Sequence, residues 1–217
     1  MEDLKYESGD SQGKLNVINY DRRAMGMDSP MYAYYAEKIK EKTGKTRGVC
    51  VDAGSGGGYL GLALAKITDL EFIFLDLSEK MLERAEHNIK KAGLKERAKI
   101  LHADVHNIPL EDYSVDLVIS RGSIPFWNNP SQALEEMFRI LVPGGTVFVG
   151  TGRGTPEVQK QVEAKRQEMG GKPHDWNKSH HHRRGVGCDY DGIKNRISIK
   201  NFKLDRGEDG TWIQIWK

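Results

Sequence analysis

The chain is short of cysteine, long apolar runs and surplus charge, and each shortage removes a class of protein. Cys50 and Cys188 are the only cysteines in 217 residues, too few for a disulfide framework or a four-cysteine metal site. The longest apolar runs are strand-length, such as Phe72 to Leu75, so no segment is long enough to span a bilayer. The start, Met1-Glu2-Asp3, lacks the basic and apolar stretches of a secretion signal, which makes a reducing cytoplasm the expected location. A net charge of +2 is too mild to argue for nucleic acid or an anionic membrane surface. What remains is ordinary globular composition, 38% hydrophobic and 29% charged, at a length that suits a single domain with a sizeable core.

The pattern along the chain is an alternation. Residues 1 to about 28 are polar, with Gly9, Gly13, Gly26 and Pro30 breaking any periodicity, and the first dozen are expected to be mobile. Met31 to Lys45 then reads as a helix, with Tyr32, Tyr35, Ala36 and Ile39 along one face and Gly44 near its end. A buried strand around Val49 and Val51 runs into glycines and a helix from Tyr59 to Ile67. Phe72 to Asp76 is a second strand, and Ser78 caps a helix that stops at Gly93, with Met81, Leu82, Ala85 and Ile89 as its stripe. Strands follow at Ala98–Ala103 and Val115–Ser120, then a helix from Pro130 to Leu141. A Pro143-Gly144-Gly145 turn leads into a strand from Thr146 to Thr151. Strands separated by single helices imply a parallel sheet with right-handed crossovers. The tail departs from this rhythm. It gives a polar helix from Thr155 to Met169, an unassigned basic stretch from 170 to 195, and two strands, Ile197–Leu204 and Thr211–Trp216, short enough in connection to pair as a hairpin.

The informative segment is Val51-Asp52-Ala53-Gly54-Ser55-Gly56-Gly57-Gly58-Tyr59-Leu60-Gly61, which leaves a strand and opens a helix. Glycines at 54, 56 and 58 permit positive φ and, having no Cβ, let the backbone lie against a ligand. Asp76 closes the next strand, where a carboxylate can accept from both hydroxyls of a ribose. Both features fall at carboxyl strand ends, where open α/β sheets bind ligands. Gly56, Gly58 and Gly61 also satisfy the dinucleotide spacing, but three features oppose that ligand. Asp52, just before the first glycine, would repel a pyrophosphate and favour a cationic sulfonium amino acid. Asp104 ends the third strand, suited to an adenine amino group. The tail hairpin is also unlike the all-parallel second half of a dinucleotide domain.

These residues resemble the class I S-adenosylmethionine (SAM)-dependent methyltransferases. Asp52 to Gly58 is similar to their first motif, Phe74-Leu75-Asp76-Leu77-Ser78 to the second and His102-Ala103-Asp104-Val105 to the third. Val115 to Ser120 matches their fourth strand, and Leu141-Val142-Pro143-Gly144-Gly145 the turn before the fifth. The resemblance covers roughly residues 47 to 152 and is greatest to the branch with quinone-biosynthesis and related small-molecule enzymes. It implies a Rossmann-like α/β three-layer sandwich whose seven-stranded sheet has the order 3-2-1-4-5-7-6, with strand 7 antiparallel. It implies SAM as cofactor and S-adenosylhomocysteine as product. Within a single domain, residues 1–28 would form an N-terminal lid segment, 47–152 the SAM-binding core and 170–195 an irregular basic insert. Gly54, Ser55 and Gly56 would face the methionine part beside Asp52, with Gly58 completing the turn. Asp76 would take the ribose hydroxyls, Leu77 and Met81 the adenine face, and Asp104 with the Val105 amide the adenine edge. The carbonyl of Ser120 or Arg121 would accept from the SAM amino group, and Tyr20 would reach SAM from the lid.

Methyl transfer needs alignment of a nucleophile and exclusion of water, and a general base only where the acceptor has a proton to lose. No catalytic residue therefore has to announce itself. The segment Ser120-Arg121-Gly122-Ser123-Ile124-Pro125-Phe126-Trp127-Asn128 lacks the Asn/Asp-Pro-Pro-Tyr signature of amino-methylating nucleic-acid enzymes, and two distant cysteines do not suit arsenic methylation. Arg121 is a candidate for an acidic group on the acceptor, set against a structural salt bridge. Phe126 and Trp127 are candidates to line the acceptor pocket, set against packing under the next helix. His180-His181-His182 cannot present three side chains on one face, so a solvated loop is expected rather than a metal site. A small-molecule acceptor is the leading expectation. A non-catalytic SAM-binding partner protein is one alternative. An RNA or protein methyltransferase using Lys172 to Lys203 is another, though Trp176, Tyr190 and Phe202 offer little for base stacking.

Overall fold

A computed structural model of the chain describes residues 17–173 and 189–217. Its strands are β1 (Val49–Ala53), β2 (Glu71–Asp76), β3 (Ala98–His102), β4 (Val115–Arg121), β5 (Leu141–Gly152), β6 (Phe202–Gly207) and β7 (Gly210–Trp216). They form one seven-stranded sheet in the order β3-β2-β1-β4-β5-β7-β6. The first five are parallel to one another, and β7 runs antiparallel to both β5 and β6. The helices are α1 (Val17–Met25), α2 (Ser29–Thr43), α3 (Tyr59–Ala65), α4 (Glu79–Lys91), α5 (Pro130–Ile140), α6 (Pro156–Glu168) and α7 (Tyr190–Arg196).

Side-chain alternation along the strands divides the apolar residues between two cores. Phe72, Phe74, Leu117, Ile119, Phe148 and Trp212 point to one face, beneath Tyr35 and Ile39 of α2, Leu64 of α3 and Ile89 of α4. Val51, Leu75, Val118, Val147, Val149, Ile213 and Ile215 point to the other, covered by Leu134, Met137 and Ile140 of α5 and Ile193 of α7. The sandwich is three-layered, as expected. Helix boundaries follow their caps: the side chains of Ser78, Asn129, Thr155 and Asp189 each accept from a main-chain N–H in the first turn of the helix that follows. No helix among the described residues is long and apolar enough to cross a membrane.

Four boundaries differ from the sequence reading. Residues 17–25, read there as part of a polar lead-in without periodicity, form α1. Its anchor is polar and tertiary: the buried Asp21 carboxylate accepts from Arg84 Nη2 at 2.5 Å, Asn88 Nδ2 at 2.8 Å and Tyr59 OH at 3.2 Å. Burial would raise the Asp21 pKa, but these donors outweigh it and hold the carboxyl below its ordinary value. Residues 190–196 of the unassigned basic stretch form α7, while His180 to His182 lie outside the described residues. The first tail strand begins at Phe202 rather than Ile197. Ile197 and Ile199 bury part of their surface against the α5 core without joining the ladder. Pro143-Gly144-Gly145 lies within β5: the register slips between Leu141 and Thr146, and the loosened turn binds the chain end, with Gly144 N donating to Lys217 O at 2.7 Å.

Candidate cofactor and acceptor site

The glycine turn joins β1 to α3 at the carboxyl edge of the sheet. Gly54, Gly56 and Gly58 all have left-handed φ, at 66°, 54° and 82°. Two of them are needed for different reasons. A Cβ on Gly54 would lie 2.6 Å from Ser123 Cβ, in the turn after β4, so only glycine lets these two loops touch. A Cβ on Gly56 would meet nothing nearer than a Tyr59 ring carbon at 3.8 Å, so the space beside this residue is open. The turn is held from beneath: Ser55 N donates to Leu75 O at 2.9 Å, Gly58 N to Ser55 O at 2.9 Å, and Gly56 N to Asp76 Oδ2 at 2.8 Å. Ser55 Oγ is buried without a hydrogen-bond partner among the described residues, an acceptor and donor left free inside the cradle.

The three carboxylates are not equivalent. Asp52 was expected beside the sulfonium amino acid, but the structure turns it inward. It is 2% exposed, and its Oδ2 accepts from Gly61 N at 2.9 Å, capping the first turn of α3. Burial, offset in part by that amide, pushes its pKa up to about 7. Between the ordinary carboxylate range and about pH 7 the folded chain keeps a proton that the unfolded chain has shed. Stability from this group is therefore complete at acid pH and is lost as pH rises through that window. Asp52→Asn, which keeps an acceptor for Gly61 N–H, is expected to flatten this decline in thermal melts taken across pH 4.5 to 7.5, a window of about three units. A variant that keeps the wild-type slope would place the titration elsewhere.

Asp76 sits half-buried at the end of β2, and its second oxygen accepts from Ser78 N at 2.9 Å. Each oxygen keeps a lone pair for a further donor. Next to it Leu77 is 67% exposed, a large apolar side chain unusual at the rim of a sheet, whereas Met81 and Val105 are nearly buried beside it. Asp104, after β3, is tied back by His106, whose N–H and Nδ1 meet its Oδ1 at 2.9 and 2.5 Å, and those contacts hold its pKa below the usual carboxylate value. Nε2 of the same ring accepts from Asn129 N at 3.2 Å, which leaves Nδ1 to donate to Asp104. This Asp104–His106–Asn129 chain ties the third carboxylate to the start of α5. The pairing of Asn129 with His106 carried no sequence signal.

On the opposite side of the turn, Ser120 is fully buried, with its Oγ 2.5 Å from Ser123 Oγ, which in turn donates to Ala53 O at 3.3 Å. Among the described residues Arg121 does not form the salt bridge weighed for it, and its contacts there are with tyrosines, a sulfur and a carbonyl. Tyr20 of α1 packs against Tyr59, ring centroids 5.8 Å apart, and so reaches the edge of the turn through that residue. Phe126 is 69% exposed just beyond β4, not packed under α5.

This arrangement fits a nucleoside carrying an amino acid better than a dinucleotide. The open side of Gly56 and the lone pairs of Asp76 offer one polar edge, joined by the Gly56 N–H bond to Asp76. Leu77 presents bare apolar surface beside them, suited to a flat base. SAM bound here would be held by Gly54, Ser55 and Gly56 at its amino acid, by Asp76 at its ribose, and by Leu77, Met81, Asp104 and Val105 at its adenine.

A family model described as a methyltransferase domain matches residues 51–149. Among solved structures, a candidate SAM-dependent methyltransferase from Methanococcus maripaludis is 35% identical with a TM-score of 0.80, over 93% of this chain and 91% of that one. Sheet, glycine turn and this likeness define a Rossmann-like nucleoside-binding domain of the methyltransferase type. The chain belongs to the SAM-dependent methyltransferase family. Similar curated proteins include a chloroplastic 2-methyl-6-phytyl-1,4-hydroquinone methyltransferase of Oryza sativa subsp. japonica, 33% identical over 44% of this chain. A malonyl-[acyl-carrier protein] O-methyltransferase of Marinomonas sp. (strain MWYL1) is 32% identical over 65% of this chain. The chain spans only 26% and 53% of the length of these two relatives.

Proposed function

We propose that the chain transfers a methyl group from SAM to a small-molecule acceptor. The observation that carries this reading is the glycine turn tied by Asp76 from beneath, with the side of Gly56 open and Leu77 bare beside it. SAM, when bound, supplies a methyl group already activated as a sulfonium. The protein's share is alignment and exclusion of water. Asp76 and the turn fix the nucleoside, while α1, pinned through Asp21, closes the side next to Tyr59. The carboxyl end of β4 and the Ser123–Phe126 turn form the acceptor side. The matched hydroquinone and malonyl-carrier methyltransferases act on metabolite-like groups, which favours an acceptor of that scale. A cytoplasmic location belongs to the same reading and suits Cys50, a free and fully buried thiol.

Isothermal titration with SAM and with S-adenosylhomocysteine tests the proposal. Both are expected to bind with Kd well below about 1 mM, that is, with more than about 4 kcal/mol. Failure of both to bind at that level sinks it.

A further inference from the structure

Among the described residues, Arg121 is a charge without a counter-ion at the edge of the proposed transfer site. It is the last residue of β4, two positions before Ser123, which touches Gly54. Its guanidinium carbon lies 5.1 Å from the centre of the Tyr32 ring and 5.4 Å from that of Tyr35. Nη2 donates to Gly152 O at 2.8 Å and to the weakly accepting Met31 Sδ at 2.9 Å, while Nε is buried without a hydrogen-bond partner. Among the described residues no carboxylate lies within ion-pair distance of it. Several other partly buried cations are answered by carboxylates: Arg23 by Asp28, Lys38 by Asp209, Arg84 by Asp21, Arg139 by Asp112 and Glu136. Arg97, which like Arg121 meets no carboxylate among the described residues, spends its donors on three backbone carbonyls instead, whereas Arg121 has one carbonyl and a sulfur. The tyrosines do not supply the missing charge, because burial raises both phenols and Tyr35 reaches about 12.

A half-buried guanidinium costs free energy unless something pairs with it, and its planar fork suits a carboxylate or phosphate. The tyrosine faces hold the cation in place and leave its charge intact. We infer that Arg121 is the anion seat of this site, receiving a carboxylate or phosphate from one of the two reactants. The inference rests on the methyltransferase reading for the identity of those reactants, but not for the seat itself. Two sources share the chemistry: the carboxylate of SAM's own amino acid, and an acidic group on the acceptor.

Two titrations distinguish them. In the first, wild type and Arg121→Met are titrated with SAM and with decarboxylated SAM. If the donor's carboxylate fills the seat, wild type prefers SAM by about tenfold or more and the variant loses that preference. In the second, the protein is titrated with benzoate, phenyl phosphate and neutral benzamide, with and without saturating S-adenosylhomocysteine. If the acceptor's anion fills the seat, one of the anions binds about tenfold tighter than benzamide to the loaded protein. Arg121→Met abolishes the difference and Arg121→Lys restores part of it. Thermal melts establish that each variant is folded. Should Arg121→Met not fold, the wild-type comparisons and Arg121→Lys still decide the matter. The inference is overturned if wild type discriminates in neither titration, or if the methionine variant discriminates as wild type does. Loss of SAM and S-adenosylhomocysteine binding by wild type would strike the methyltransferase reading instead, and the benzoate titration of the unloaded protein would still report on Arg121.

Discussion

Asp76→Ala is expected to weaken SAM binding by about 100-fold, close to 3 kcal/mol, measured by isothermal titration. Two losses combine. The carboxylate that would accept from the ribose hydroxyls disappears, and charge-assisted hydrogen bonds of that kind are worth about 1.5–3 kcal/mol each. The same carboxylate also bridges the amides of Gly56 and Ser78, so its removal frees the middle of the glycine turn and leaves two N–H groups to water. The turn must then be ordered again at the expense of binding energy. Asp76→Asn keeps one acceptor oxygen and should fall between, about tenfold weaker than wild type. Affinity unchanged in the alanine variant would mean that the nucleoside lies elsewhere.

The features legible in the sequence are those set by local chemistry. Three glycines spaced through a strand-to-helix turn announce positive φ whatever surrounds them, and Ser78 and Gly93 mark helix ends because capping is decided within a few residues. Alternating buried strands and amphipathic helices imply the parallel sheet, and the tail gives a hairpin; the strand order follows from the resemblance to the methyltransferases. What was not legible depends on partners distant in the chain. Helix α1 has a polar composition and owes its place to a carboxylate meeting residues 38, 63 and 67 positions away. The run from Ile197 to Leu204 alternates in two phases, broken at Lys200-Asn201, and only the second pair, Phe202 and Leu204, joins the ladder, while Ile197 and Ile199 are satisfied by packing under α5. Asp52 faces inward because the third amide of α3 needs an acceptor, and that competition is invisible in a motif. The absence of an ion pair at Arg121 is likewise a property of the assembled fold.

The second large effect concerns the core under the acceptor side. Trp212 of β7 is fully buried, its ring stacked on Phe148 at 5.1 Å and tilted against Tyr35 at 4.7 Å, with Lys38 Nζ 5.5 Å from its centre. It pairs across the ladder with Gly150, where a Cβ would come within 2.8 Å of the indole, so the site is shaped to this one side chain. Trp212→Ala leaves a cavity in a sheet that has β5 on one side and β6 on the other. It is expected to cost about 3–5 kcal/mol, a fall in Tm on the order of 10 °C for a chain of this size. The indole N–H has no hydrogen-bond partner among the described residues, so Trp212→Phe removes volume without orphaning an acceptor. That variant should cost about 1–2 kcal/mol, well short of the alanine. Tyr35 rests on this ring and frames Arg121, so the alanine variant should also lose part of any preference the protein shows for anions, while the phenylalanine variant keeps it. If thermal melts put both variants within a few degrees of wild type, the hairpin that completes the sheet is not held to α2 through this ring.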